Sequence, residues 1–245
     1  MKMKVTLINY TFGAAELLLF TKSTRLTLSP ALMETIEKLT DEEKLDQLRY
    51  MARTIPSSWE FVDYTFLVEG VSRAYTHQQV RTRSASYAQQ TMRVLPMGAY
   101  EYIYTDANLA SPEAMKVLKQ VNEQIRAAYN KLIGLGQAVE DARGILPTNI
   151  STNIVCKFNL RAFCDVAASR SGGRTQSEYR KVVNGMIDEV LKVHPWAEEF
   201  IFQHGRNYFD DLEEFAEHLR GRGPFGSEDR AHLLKIVDQM RKERQ

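Results

Sequence analysis

SRAYTHQQVRTRSASYAQQTMRV, residues Ser72–Val94, holds the densest chemistry in the chain. Arg81 and Arg83 stand two apart. Around them lie a hydroxyl-rich turn (Thr82, Ser84, Ser86) and then Gln89, Gln90, Thr91 and Arg93. Guanidinium groups grip phosphate bidentately, hydroxyls add neutral donors, and glutamine amides match the edge of an amide-bearing ring. In composition this is a nucleotide-phosphate site. Gly70–Tyr100 contains no acid and no lysine, so this island carries +4. A second island, Ala142–Ser177, sets Arg143, Lys157, Arg161, Arg170 and Arg174 against Asp165 alone, again +4. With a net charge of +1 over the chain, the remainder carries −7. Two basic islands in an acidic chain point to a local anion pocket more than to a broad nucleic-acid surface.

The 245 residues suffice for a sizeable core, and 44% hydrophobic with 26% charged content excludes disordered, collagen-like and disulfide-stapled classes. No apolar run reaches 18 residues, and the N-terminus lacks a long apolar segment with a small-residue cleavage site. No membrane span and no signal peptide are therefore expected. Cys156 and Cys164 read as buried, reduced thiols of a cytoplasmic protein, and the five histidines show no metal-ligand spacing.

Outward from the quoted stretch, Lys4–Tyr10 is β-branched and reads as a strand, Phe12–Lys22 as a helix, and Ser29-Pro30 as the start of a short one. Thr40 caps a helix through Lys44–Arg53, broken at Pro56. Phe61–Val71 reads as a strand, and residues 72–82 as a helix that leads into a loop at Thr82–Ser86. Pro112–Ile133, capped by Ser111, has apolar residues at a period of 3.6, with Gln137–Arg143 prolonging it. Thr152–Phe158 is extended, and Leu160–Ala168 and Ser177–Val193 are helical. Ser227 starts a last helix over Ala231–Arg244. The pattern argues α+β or α/β.

The order of the motif is more specific than its composition. Arg81-Thr82-Arg83, seven residues, Thr91 and then Arg93 resembles the signature of flavin-dependent thymidylate synthases. That signature runs Arg-His-Arg, seven residues, Ser, x-Arg-Tyr. Ser72–Gln78 is similar to the family's SRAFTHQ helix, and Asn9-Tyr10-Thr11 to its first strand. Ala142-Arg143 with Leu146-Pro147 is similar to its AR-x-x-LP segment, and Asn159-Leu160-Arg161 to its Asn-x-Arg. Arg170 lies eleven residues past that Asn, and Gln176–Arg180 (QSEYR) is similar to the QWEIR helix. The chain also departs from the pattern. Thr82 stands at the signature's His, Thr91 at its Ser and Val94 at its Tyr. Ile55 and Phe61 flank Glu60 at two further histidine positions, and Asp165 replaces an Asn.

The resemblance implies an α/β (α+β) fold with a mixed sheet flanked by long helices. It implies a catalytic domain over residues 1–208, with a helical extension at 209–245. It implies FAD-dependent C5-methylation of dUMP to dTMP, with methylenetetrahydrofolate as carbon donor and NADPH as reductant, and without an enzyme nucleophile. Ser57, Glu60, Arg81, Thr82, Arg83, Asn159, Arg161 and Arg174 are the expected FAD contacts. Gln78, Gln89, Gln90, Thr91, Arg93, Arg143 and Arg170 are the expected nucleotide contacts, with Thr91 and Arg170 at the reacting ring. The expected assembly is a homotetramer whose sites are shared, Thr91 and Arg170 coming to one pocket from different chains. No metal, membrane or nucleic-acid partner is expected. Two alternatives stay open: a UMP or UMP/dUMP methylase of nucleoside-antibiotic synthesis, and a non-catalytic nucleotide-binding homologue.

Overall fold

The computed structural model describes residues 2–27, 31–95, 97–98, 100–173, 175–203 and 233–236. In chain order these give β1 (Lys4–Tyr10), α1 (Ala14–Leu26), α2 (Leu32–Glu37), α3 (Asp41–Thr54), β2 (Asp63–Ser72), α4 (Arg73–Gln79), β3 (Ala85–Gln89), α5 (Asp106–Leu109) and α6 (Pro112–Gly134). There follow α7 (Val139–Ala142), β4 (Ser151–Asn159), α8 (Leu160–Arg170), α9 (Ser177–Val193) and α10 (Glu198–Gln203). Tight 3-10 turns occupy Pro56–Phe61, Arg143–Ile145 and Pro195–Ala197. The expected start at Ser29-Pro30 lies outside the described residues. So does the 209–245 extension with its cap at Ser227, apart from a helical stretch at 233–236.

The strands form one sheet in the order β1-β2-β4-β3, antiparallel at every pairing. The α+β class is as expected, but the sheet is not mixed. The helix between β2 and β3 is short, and β4 inserts between those two strands and runs antiparallel to both. Alternation decides the core. Tyr64, Phe66 and Val68 of β2 and Ile154, Cys156 and Phe158 of β4 are all at 1% exposure or less. They pack with Phe163 of α8 and with Tyr179, Val182, Val183 and Met186 of α9. A second, smaller core of Met97, Tyr100, Tyr129, Ala142 and Ile150 joins α6 to the segment after β3. α6 itself buries only Asn122 and Tyr129 and leaves Val117 and Val121 exposed.

Local chemistry explains most boundaries. Thr40 and Glu43 form a reciprocal capping box at α3. Gly13, at φ +63, precedes α1 and moves its start past the expected Phe12. Gly136, at φ +84, ends the α6 region, so Val139–Ala142 is a separate turn and not a prolongation. β3 was expected in part as loop. Its sequence, ASYAQ, has little intrinsic strand preference, and it is extended because the free edge of β4 supplies a ladder from Ala85↔Phe158 to Gln89↔Ile154. Between Val68 and Val71 the register of β2 shifts at Gly70, which has φ +64. A Cβ there would meet the Lys2 carbonyl oxygen at 3.0 Å.

His194 closes α9 as a buried ring. Its Nδ1 lies 2.9 Å from the Tyr64 hydroxyl, Tyr10 meets it edge-on at 5.3 Å, and Trp196 stacks on it at 5.0 Å. Burial lowers its pKa from the ordinary 6.5. The unfolded chain therefore takes up this proton first on acidification, so the neutral ring stabilises the fold above pH 6.5 and that contribution is lost as pH falls through the folded-state value. Thermal unfolding followed by circular dichroism should show Tm falling between pH 7 and pH 5. A His194→Phe variant should show a shallower fall over the same range.

Candidate functional site

The signature stretch is fixed by contacts at both of its ends. Ser72 caps α4, its Oγ accepting from the Tyr75 N–H at 3.1 Å. Glu178 of α9 in turn accepts from the Ser72 N–H at 2.7 Å and from its hydroxyl at 2.6 Å. Gln78 donates to the Gln176 side-chain oxygen, so the SRAYTHQ and QSEYR blocks are tied together twice. Beyond α4, the Tyr87 hydroxyl lies 2.8 Å from the Gln79 carbonyl and 2.9 Å from that of Thr82. These contacts pin the turn. Arg81 and Arg83 extend from it exposed, with no carboxylate partner among the described residues.

The β3–β4 ladder carries this turn to the C-terminal end of β4. There Asn159 caps α8 through its Oδ1 (2.8 Å from the Ala162 nitrogen), and Arg161 pairs with Glu60 at 2.8 Å, both half-exposed. Ser57 shares the Pro56–Phe61 turn with Glu60, and its hydroxyl accepts from Arg25 at 3.0 Å. Arg25 was not found from the sequence. Arg81, Thr82, Arg83, Ser57, Glu60, Asn159 and Arg161 thus gather around one end of the sheet. Arg174 lies outside the described residues.

Arg170, at the C-terminal end of α8, belongs to this same end. Its Cζ lies 5.3 Å from the ring centroid of Tyr179, a residue on which the Thr82 side chain also acts.

A second cationic group surrounds the other end of β3. Gln89 donates to Thr76 Oγ1 at 2.7 Å, and the Gln90 nitrogen donates to the Asn153 carbonyl at 3.1 Å. The Thr91 hydroxyl oxygen accepts from the Arg93 N–H at 3.0 Å. Arg93 pairs with Glu140 at 2.9 Å, whose carbonyl is bound by Arg143 Nε at 3.2 Å.

Arg73 lies here too and donates to the Gln90 carbonyl, while its Nε is buried without a partner. Burial lowers its pKa and the neighbouring Arg143 charge lowers it further. Two guanidiniums held together with an unused inward donor form a position for an anion. In the sequence Arg73 belongs to the SRAYTHQ block and to a basic island, but nothing there assigns it a partner.

The four steps between the five residues of β3, at about 3.3 Å each, place the two groups roughly 13 Å apart along the strand. The expected nucleotide set is therefore divided in one chain, with Gln89, Gln90, Thr91, Arg93 and Arg143 at one end, and Arg170 at the other. Two clefts of about 530 and 660 Å³ lie elsewhere, one against Tyr102, Tyr104 and Lys181, the other against Lys44, Arg49 and Trp196. Neither is lined by Arg81, Arg83, Arg93 or Arg170. Cys156 and Cys164 are wholly buried, and burial pushes the Cys156 thiol up to about 12 and the Cys164 thiol higher still. Neither offers a thiolate nucleophile. No group of metal ligands and no helix able to cross a membrane is found among the described residues.

The profile of the family described as "Thymidylate synthase complementing protein" matches residues 6–196. The flavin-dependent thymidylate synthase of Clostridium tetani is 32% identical over 213 residues, covering 80% of this chain and 85% of its own length. That of Pyrococcus abyssi is 30% identical over 197 residues, covering 77% and 79%. Among solved structures, the UMP/dUMP methylase PolB from Streptomyces cacaoi, bound with 5-Br dUMP, aligns with a TM-score of 0.71 at 19% identity. It covers 81% of this chain and 94% of its own, a likeness of fold.

Proposed function

The chain belongs to the flavin-dependent thymidylate synthase family of methyltransferases, and from this premise we propose that it methylates C5 of the uracil ring of dUMP. In this reading methylenetetrahydrofolate gives the carbon and NADPH the reducing equivalents. The observation that carries it is the meeting of two blocks far apart in sequence: Arg81-x-Arg83 and Asn159-x-Arg161 share one end of the β3–β4 ladder.

The donor set there fits an FAD diphosphate. Two exposed guanidiniums lack carboxylate partners among the described residues, and Arg161 and Asn159 stand beside them. Ser57, Glu60, Arg81, Thr82, Arg83, Asn159, Arg161 and Arg174 would hold the cofactor. When bound, it supplies the redox chemistry that no side chain here can supply.

The chain's own residues bind and polarise. Arg73, Arg93 and Arg143 take the nucleotide phosphate, with the Arg93–Glu140 pair opening to release its fork. Thr91 accepts from the Arg93 N–H, which leaves its own O–H to donate to the ligand. Arg170 faces a uracil carbonyl and stabilises charge that develops on the ring. The division of these residues between the two ends of β3 supports a site completed between copies. Thr91 and Arg93 come from one chain and Arg170 from another, in a homotetramer.

One assay decides the reading. Purified protein should take up FAD with a flavin absorbance spectrum and convert dUMP to dTMP, dependent on NADPH and methylenetetrahydrofolate. Turnover of UMP with dUMP ignored would replace the substrate. Nucleotide binding without NADPH oxidation would remove the catalytic claim.

A further inference from the structure

Tyr179 of α9 is wholly buried. Its ring packs edge-on against Tyr75 at 5.2 Å and 78°, and the Arg170 Cζ lies 5.3 Å from its centroid, within reach of a cation–π contact. Burial pushes the phenol's pKa up, while the Arg170 charge and the Thr82 side chain pull it back. Thr82 sits between Arg81 and Arg83, on the turn that Tyr87 pins through its carbonyl.

Resting on the reading of Arg170 as the uracil-facing group, we propose that Tyr179 is a positioning residue. Its ring seats the Arg170 guanidinium.

Steady-state kinetics on the FAD-loaded protein test this. Tyr179→Ile should lower kcat about tenfold, the range of a desolvated cation–π contact, with the dUMP KM within about twofold. In an Arg170→Ala background, Tyr179→Ile should have no further effect. Tyr179→Phe keeps the ring and should retain kcat within about twofold.

Wild-type kcat in Tyr179→Ile, an equal loss in Tyr179→Phe, or an undiminished loss in the Arg170→Ala background would overturn the proposal. The seat is also read without turnover. The ring-current shift of the Arg170 Nε–H resonance should persist in Tyr179→Phe and vanish in Tyr179→Ile. An inactive wild type with that shift present refutes the assigned reaction and not the seat, whereas an unshifted wild-type resonance refutes the seat.

Discussion

Replacing Arg170 with alanine is expected to lower kcat for nucleotide methylation about 10²–10³-fold, the cost of removing one pre-organised donor to developing charge. The guanidinium leaves the last turn of α8, where it lies 5.3 Å from the Tyr179 ring centroid, and among the described residues no other cation lies over that ring. Since the lost interaction strengthens as charge builds on the pyrimidine, the loss should fall on kcat more than on KM. Arg170→Lys restores charge without the planar fork and should recover only part of the rate. Rates at saturating dUMP, FAD and co-substrates check this, and undiminished turnover in the alanine variant would remove Arg170 from the mechanism.

The second large effect is on stability. Phe163 of α8 is wholly buried and meets Tyr64 at 5.8 Å, Phe158 at 6.3 Å and Phe66, nearly parallel, at 5.6 Å. Phe163→Ala opens a cavity where the helix joins the sheet, at a cost of about 3–5 kcal/mol. For a chain of this length that is a Tm lower by roughly 10 °C. α8 is bounded by Asn159 and Arg170, so the same variant should bind FAD more weakly even at temperatures where it remains folded. Calorimetry and flavin titration measure the two effects. A Tm drop below about 3 °C would mean that the helix docks by other contacts.

The fold was legible wherever a rule acts within a few residues. Ser177–Val193 has the same bounds in sequence and structure, because its apolar period and the Gly172-Gly173 break are both local. The caps at Thr40 and Ser111 are where hydroxyl, acid and proline placed them. β3 was not legible as a strand, since its extension is imposed by β4 from about seventy residues away. The site divides in the same way. Motif register picked out Arg81, Arg83, Asn159, Arg161 and Arg170, whereas Arg73 becomes distinctive only when folding brings Arg143 beside it and buries its Nε.

Gly70 touches no ligand and carries no chemistry, yet it bears on how this sequence can drift. At φ +64, with the Lys2 carbonyl where a methyl would go, any side chain meets both backbone strain and a clash. The register shift it permits sets the direction in which β2 delivers Ser72, and through Ser72 the aim of α4 and the turn with Arg81 and Arg83. A selection that scores only catalysis would therefore spare this position as strictly as it spares an arginine. A survey of tolerated substitutions would then mark as functional a residue whose whole contribution is the angle at which a strand leaves its sheet.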